Sequence, residues 1–166
     1  MNSKEIVAAV SAVALVVILA YPALATGGVS AHIGSTSIKD AEHVYVTVGD
    51  VWVHRSGQSG SEGWQLISNQ SQSVDLVSLA SARTDLGKGQ IALGSYDMVK
   101  IEISNITWVF NDTTTTLQLE SSEVQSSVEL TVQAGRESVI TLTLSGFQQV
   151  IGGTRFFTPT LAATVG

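Results

Sequence analysis

Residues 44–54 read VYVTVGDVWVH. Val44, Val46 and Val48 alternate with Tyr45 and Thr47, the period of a strand with one buried face. Gly49 breaks the alternation, and Val51-Trp52-Val53-His54 resumes it. A glycine inside a strand pattern marks a bulge or bend.

The same period runs outward in both directions. Upstream, Val29, Ala31 and Ile33 alternate with Ser30, His32 and Gly34. Downstream, the Ser/Gly-rich residues 56–63 form a hairpin loop, and residues 64–67 form its return strand. Residues 74–77 make a short strand, and residues 78–87 hold one helical turn. Residues 90–97 read strand, turn, strand. Then Val99, Ile101 and Ile103 face one way and Lys100, Glu102 and Ser104 the other, with Trp108-Val109-Phe110 continuing after a polar interruption. Asn111 and Asp112 make a tight turn, and residues 113–120 return with Leu117 and Leu119 inward. Val128, Leu130 and Val132 alternate, Ala134-Gly135 turns, and residues 139–144 and 156–165 close the chain. Pro159 assigns the last segment to an edge, because proline donates no ladder hydrogen bond. Eight to ten short strands without a sizeable helix predict an all-β fold, a single immunoglobulin- or transthyretin-like β-sandwich.

Residues 6–25, IVAAVSAVALVVILAYPALA, contain no charge. Twenty helical residues span about 30 Å, the thickness of a bilayer's hydrocarbon core. One Lys precedes the run, Pro22 ends it, and the small-x-small triplet Ala23-Leu24-Ala25 follows. This is the pattern of a signal peptide cleaved after Ala25. The competing expectation is a retained hydrophobic helix. Glu5 and Pro22 stand where the stalks of type IV pilins carry a Glu and a Pro, and in this respect the segment resembles them; the polar Asn2-Ser3-Lys4 departs from them. The expected organisation is residues 1–25 as hydrophobic N-terminal segment, 26–37 as an extended strand, and 38–166 as the sandwich. A membrane is a partner only through residues 6–25, if they are kept.

Composition agrees with a life outside the cytoplasm. Charged residues make up 13% of the chain, against about 25% in ordinary soluble proteins. Net charge is −6, and no basic cluster exists, so nucleic acid is not an expected partner. Cysteine is absent, which removes disulfides, thiolate ligands, Cys nucleophiles and a lipid-bearing Cys.

The order 44–48, 51–54, Gly63-Trp64, 74–79, Gly94-Ser95-Tyr96, 132–135 and Phe157-Thr158-Pro159 resembles the domain of unknown function 4382 family. The resemblance extends from Val29 to Val165. It implies a transthyretin- or immunoglobulin-like sandwich at the surface of a bacterial or archaeal cell, and it carries over no catalytic residue. Lipoprotein members have a Cys anchor that this chain lacks, which favours release, polymerisation or helix anchoring.

Reactive constellations are sparse. His32, His43 and His54 fall into no metal-ligand spacing. No D-x-D-x-D-G loop calls for calcium, although loop acids such as Asp75, Asp85 and Asp97 could converge on an ion. No G-x-S-x-G elbow is present, and the chain is not expected to be an enzyme or to hold a cofactor. Trp52, Trp64 and Trp108 either cover core edges or, on an outer sheet face, stack on sugars. Asn69, Asn105 and Asn111 open N-x-S/T acceptors for glycans.

The expected function is a structural subunit of an extracellular filament, pilus or surface layer, with copies of itself as partner. Two joints are expected: the strand carrying Val29, Ala31 and Ile33 exchanging into a neighbour, or a retained helix. A monomeric carbohydrate-binding or adhesive module is the alternative.

Overall fold

The computed structural model describes residues 25–166. They form ten strands: β1 (Thr26–Ser35), β2 (His43–Arg55), β3 (Trp64–Ser68), β4 (Gln72–Asp75), β5 (Thr84–Ala92), β6 (Gly94–Phe110), β7 (Thr113–Leu119), β8 (Glu123–Val132), β9 (Glu137–Ile151) and β10 (Thr154–Val165). The one helical turn among the described residues, Ser78–Ala80, falls inside the span expected for it.

The strands follow the order β3-β2-β6-β7-β10-β9-β1-β5, with β4 beside β2 and β8 beside β6. One layer is β5-β1-β9-β10. The other is built on the long β2–β6 pair, flanked by β3 and β4 on one side and by β7 and β8 on the other. The layers meet where β10 pairs with β7 at Phe156 and Phe157. They meet again where Ser68 Oγ donates to Leu86 O (2.6 Å) and Ala92 N–H donates to Gln65 Oε1 (2.9 Å). The expected all-β sandwich is therefore the fold.

Alternating apolar residues of both layers fill one core, from Val29 on β1 to Phe157 on β10. Of the three register shifts along the long pair, the two in its middle offset one another and keep it facing this core. Val48 pairs with Ile103 and Val51 with Ile101, so Gly49 and Asp50 together oppose Glu102, the bulge expected from Gly49. Val46 pairs with Ile106 and Thr47 with Ser104, leaving Asn105 as an extra residue of β6 in the left-handed region (φ 49°). The two slips cancel. Val44, Val46 and Val48 point inward with Val51 and Val53, and Val99, Ile101 and Ile103 with Ile106 and Trp108.

Two hairpins end in two-residue loops with positive φ at both positions, Asn111 (47°) with Asp112 (57°) and Gly152 (58°) with Gly153 (84°). That is the type I′ requirement, which Asn, Asp and Gly meet at least cost.

Within the residues 26–37 expected to be extended, β1 is an inner strand, antiparallel to β5 and parallel to β9. Val29, Ala31 and Ile33 are fully buried in the chain's own core. Ser37 is thus no structural boundary, and the domain begins at Thr26. Ala25 O accepts from Leu93 N–H (3.4 Å) just ahead of β1, so a cut after Ala25 would leave β1 whole. The rest of the N-terminal hydrophobic segment lies outside the described residues.

Candidate functional site

Two of the three histidines that sequence singled out pair with loop acids, His43 with Asp75 and His54 with Asp97. His43 Nδ1 lies 2.8 Å from Asp75 Oδ2. The Asp75 carboxylate also accepts from the Val44 and Val77 amides (both 3.1 Å) and from Ser78 Oγ (2.7 Å). Burial alone would raise the Asp75 pKa, but the donors from His43, Ser78, Val44 and Val77 outweigh it and hold the carboxyl below its ordinary value. Ser78 donates to the acid rather than to the imidazole, so this grouping does not activate a nucleophile. It fastens the start of β2 to the turn after β4.

His54 Nδ1 sits 3.2 Å from Asp97 Oδ1, and its ring meets Trp64 edge-on at 5.0 Å. Although outward on its strand, His54 is buried, because Gly63 lies against the ring where any side chain would clash. Asp85 Oδ1 accepts from Gly87 N–H (2.8 Å). Asp75, Asp85 and Asp97 do not converge: among the described residues, no three His, Asp or Glu side chains are grouped to hold a metal ion.

The three tryptophans divide. Trp108 is buried, and its Nε1–H donates to Asp40 O (3.0 Å), so it is a core residue rather than a surface platform. Trp52 and Trp64 do sit on the outer face of the β3-β2-β6 layer. The Lys100 ammonium lies over both rings, 5.8 Å from Trp52 and 4.8 Å from Trp64, and is itself 3.2 Å from Glu123 Oε1. A sugar stacking there would have to displace that cation. Asn69, Asn105 and Asn111 are all exposed, with Asn105 on the β6 bulge and Asn111 at a hairpin tip.

One end of the sandwich carries a feature that strand periodicity did not flag. On β10 the core reaches Phe157, but on β9 the apolar residues beyond Leu144 turn solvent-facing: Phe147 is 54%, Val150 62% and Ile151 58% exposed. Phe110, at the tip of β6, is 45% exposed. Two adjoining grooves of about 480 and 410 Å³ separate these tips, sharing Asp40, Trp108 and Gln148 in their walls, and Ile38 lines the larger. Soluble domains rarely leave such residues grouped unless something covers them. The available sequence signal was Phe147, Val150 and Ile151 continuing an apolar strand after Gly146. This apolar pole lies at the Ser35 end of β1, since Ser35 pairs with Leu144. The N-terminal segment joins at the opposite end, a strand of about 33 Å away.

The profile of Domain of unknown function (DUF4382) matches residues 26–150. The chain belongs to the DUF4382 family. The match begins at the first residue of β1 and runs almost to the tip of β9, so this DUF4382 domain counts β1 as an integral strand. No curated protein and no solved structure matches the chain.

Proposed function

We propose that this DUF4382 chain is a non-enzymatic structural subunit of an extracellular filament, pilus or surface layer, and that its principal partner is another copy of itself. The apolar pole carries this reading. Phe110, Phe147 and Val150 stand exposed along two adjoining grooves, on a chain of only 13% charged residues, where a like surface from a second copy would remove them from water. The all-β domain, the absence of cysteine and the apolar residues 6–25 are consistent with a surface location. Exchange of β1 between copies remains a route to the same polymer. β1 is the first strand of the domain and is joined to β2 by residues 36–42, so a neighbour's β1 could make the same pairs with β5 and β9.

The carbohydrate-binding alternative rests on Trp52 and Trp64, whose rings are covered by Lys100. The observations favour self-association.

The test is assembly of the full chain, followed by light scattering and negative-stain imaging. Phe147→Ser with Val150→Ser should abolish higher assemblies while leaving the thermal midpoint close to wild type, because both residues are exposed. Undiminished assembly in that variant refutes the apolar pole as the joint.

A further inference from the structure

β1 ends before β9 does. Ser35, its last residue, pairs with Leu144, while β9 continues to Ile151. Within an antiparallel strand, the N–H and C=O of one residue point to the same side and those of the next point away. Gly166 N–H donates to Val139 O (3.1 Å), and Ile151 pairs with Thr154 across the two-residue loop, so the odd-numbered residues of β9 bond to β10. The even-numbered residues face β1 as far as Leu144. Beyond it, Gly146, Gln148 and Val150 turn their N–H and C=O to a side where β9 has no partner strand. All three line the 480 Å³ groove of the apolar pole, whose far wall is residues 37–40 on their way to β2. Among the described residues, no backbone group is bonded to this edge.

Residues 145–151 read SGFQQVI, with no charge and no proline to blunt the edge. The stretch is also complementary to itself. Gly146, Gln148 and Val150 share the face of buried Leu144, which here fronts the groove. Gly146 is a recess in that face, and a Cβ there would meet the Phe157 ring. Val150, the same distance beyond Gln148, projects into solvent. A two-fold axis at Gln148 therefore sets the projection of one copy against the recess of the other.

We propose that the apolar pole joins two copies by strand pairing: residues 146–150 of β9 pair antiparallel with the same residues of a second copy, about a two-fold axis at Gln148. The proposal rests on the self-association reading and names the bonds of its joint. In this register Gln148 pairs with its own copy and Gly146 with Val150 of the second copy. Each uses the N–H and C=O that face away from β10. Val150 of the second copy then lies over Gly146, in the groove walled by Ile38 and Trp108. The register is bounded by the structure at both ends. On one side β1 already occupies β9 up to Leu144, and on the other Gly152 and Gly153 turn the chain away. No charged residue meets another within the paired stretch, although the chain carries a net charge of −6. An isologous contact alone closes a dimer. Joined with exchange of β1, it gives a continuing chain of subunits.

Gln148 meets its own copy in a hydrogen-bonded pair, with Cα atoms about 5.5 Å apart. That lies within the range of about 4.4–6.8 Å that a disulfide spans. The chain has no cysteine, so the full chain bearing Gln148→Cys reports this contact cleanly. Mild oxidation should give a dimer joined from position 148 to position 148, and Thr160→Cys, exposed on β10, should not. Hydrogen exchange reads the bonds themselves. On assembly of the wild-type full chain, the amides of Gly146, Gln148 and Val150 should slow by about tenfold or more. Those of Phe147, Gln149 and Ile151, bonded to β10 in either state, should change less. Gln148→Pro removes one outward N–H per copy and leaves the bonds to β10 intact. It should raise the dimer dissociation constant by about tenfold or more with little change in thermal midpoint. No 148–148 cross-link, a cross-link formed equally well by Thr160→Cys, or unchanged exchange of the three even-numbered amides overturns the proposal. If assembly persists with any of these results, and Phe147→Ser with Val150→Ser abolishes it, only the strand pairing is lost and the apolar pole stands. A wild-type chain that stays monomeric at all concentrations overturns both.

Discussion

Gly49 and Asn105 offset one another across the β2–β6 ladder. Asp50, next to Gly49, adds a residue to β2 opposite Glu102, and Asn105 adds one to β6 between Ser104 and Ile106. The register slips by one and then recovers. Because side chains alternate with period two, an uncompensated slip would turn half of each strand's apolar residues to solvent.

Asn105 therefore has both a conformational and a register role. Asn105→Gly should change stability by no more than about 0.5 kcal/mol, since glycine adopts positive φ freely. Asn105→Val should cost about 1–2 kcal/mol. Deleting Asn105 should abolish cooperative unfolding. Urea titrations followed by tryptophan fluorescence measure all three, and a deletion variant with a wild-type midpoint would refute the register argument.

Asp75 ties acid stability to a single clamp. Its folded-state carboxyl lies below the ordinary value of 3.8. The group's contribution is therefore present above the unfolded value and is lost as pH falls through the folded one. Asp75→Asn should cost about 2 kcal/mol near pH 7. The gap between the variant and wild type should narrow between pH 5 and pH 3. A gap that stays constant over that range would show that the carboxylate charge is not what the four donors stabilise.

The tryptophans should respond in opposite ways to those expected of a shared sugar platform. Trp108→Ala should cost about 3–5 kcal/mol, as for other buried aromatic truncations. Lys100→Ala should cost only about 1 kcal/mol and should bare the rings of Trp52 and Trp64. If wild type binds glycans on an array and Trp64→Ala abolishes that signal at unchanged stability, the carbohydrate reading gains the ground that self-association holds here.

β1 cannot be removed without removing core. Deleting residues 26–37 takes out fully buried Val29, Ala31 and Ile33, so the truncated chain should lose its near-UV circular dichroism and not merely its ability to assemble. A synthetic peptide of residues 26–37 should restore that signal by pairing with β5 and β9. A folded truncated chain would mean that β1 is dispensable and that the slot between β5 and β9 closes by itself.

Local pattern and long-range arrangement divided the information in this protein. The sequence by itself determined the strands, because burial of one sheet face imposes the period seen from Val29 to Val165. It also determined the tight turns at Asn111 and Gly135 and the bulge at Gly49, because each depends on the backbone freedom of one or two residues; the edge expected from Pro159 is not found, since β10 lies between β9 and β7. It showed the family through the order of those strands and turns. Only the tertiary structure decided that β1 lies inside its own sheet, since alternation is the same for an arm and for an inner strand. Tertiary packing also buried Trp108 and set Lys100 over Trp52 and Trp64, contacts between residues distant in sequence. It set Phe110 in the wall of one groove and Phe147 and Val150 in the wall of the adjoining one. Which apolar residues are covered, and which edges are paired, depends on where the other strands lie, and no local period encodes that.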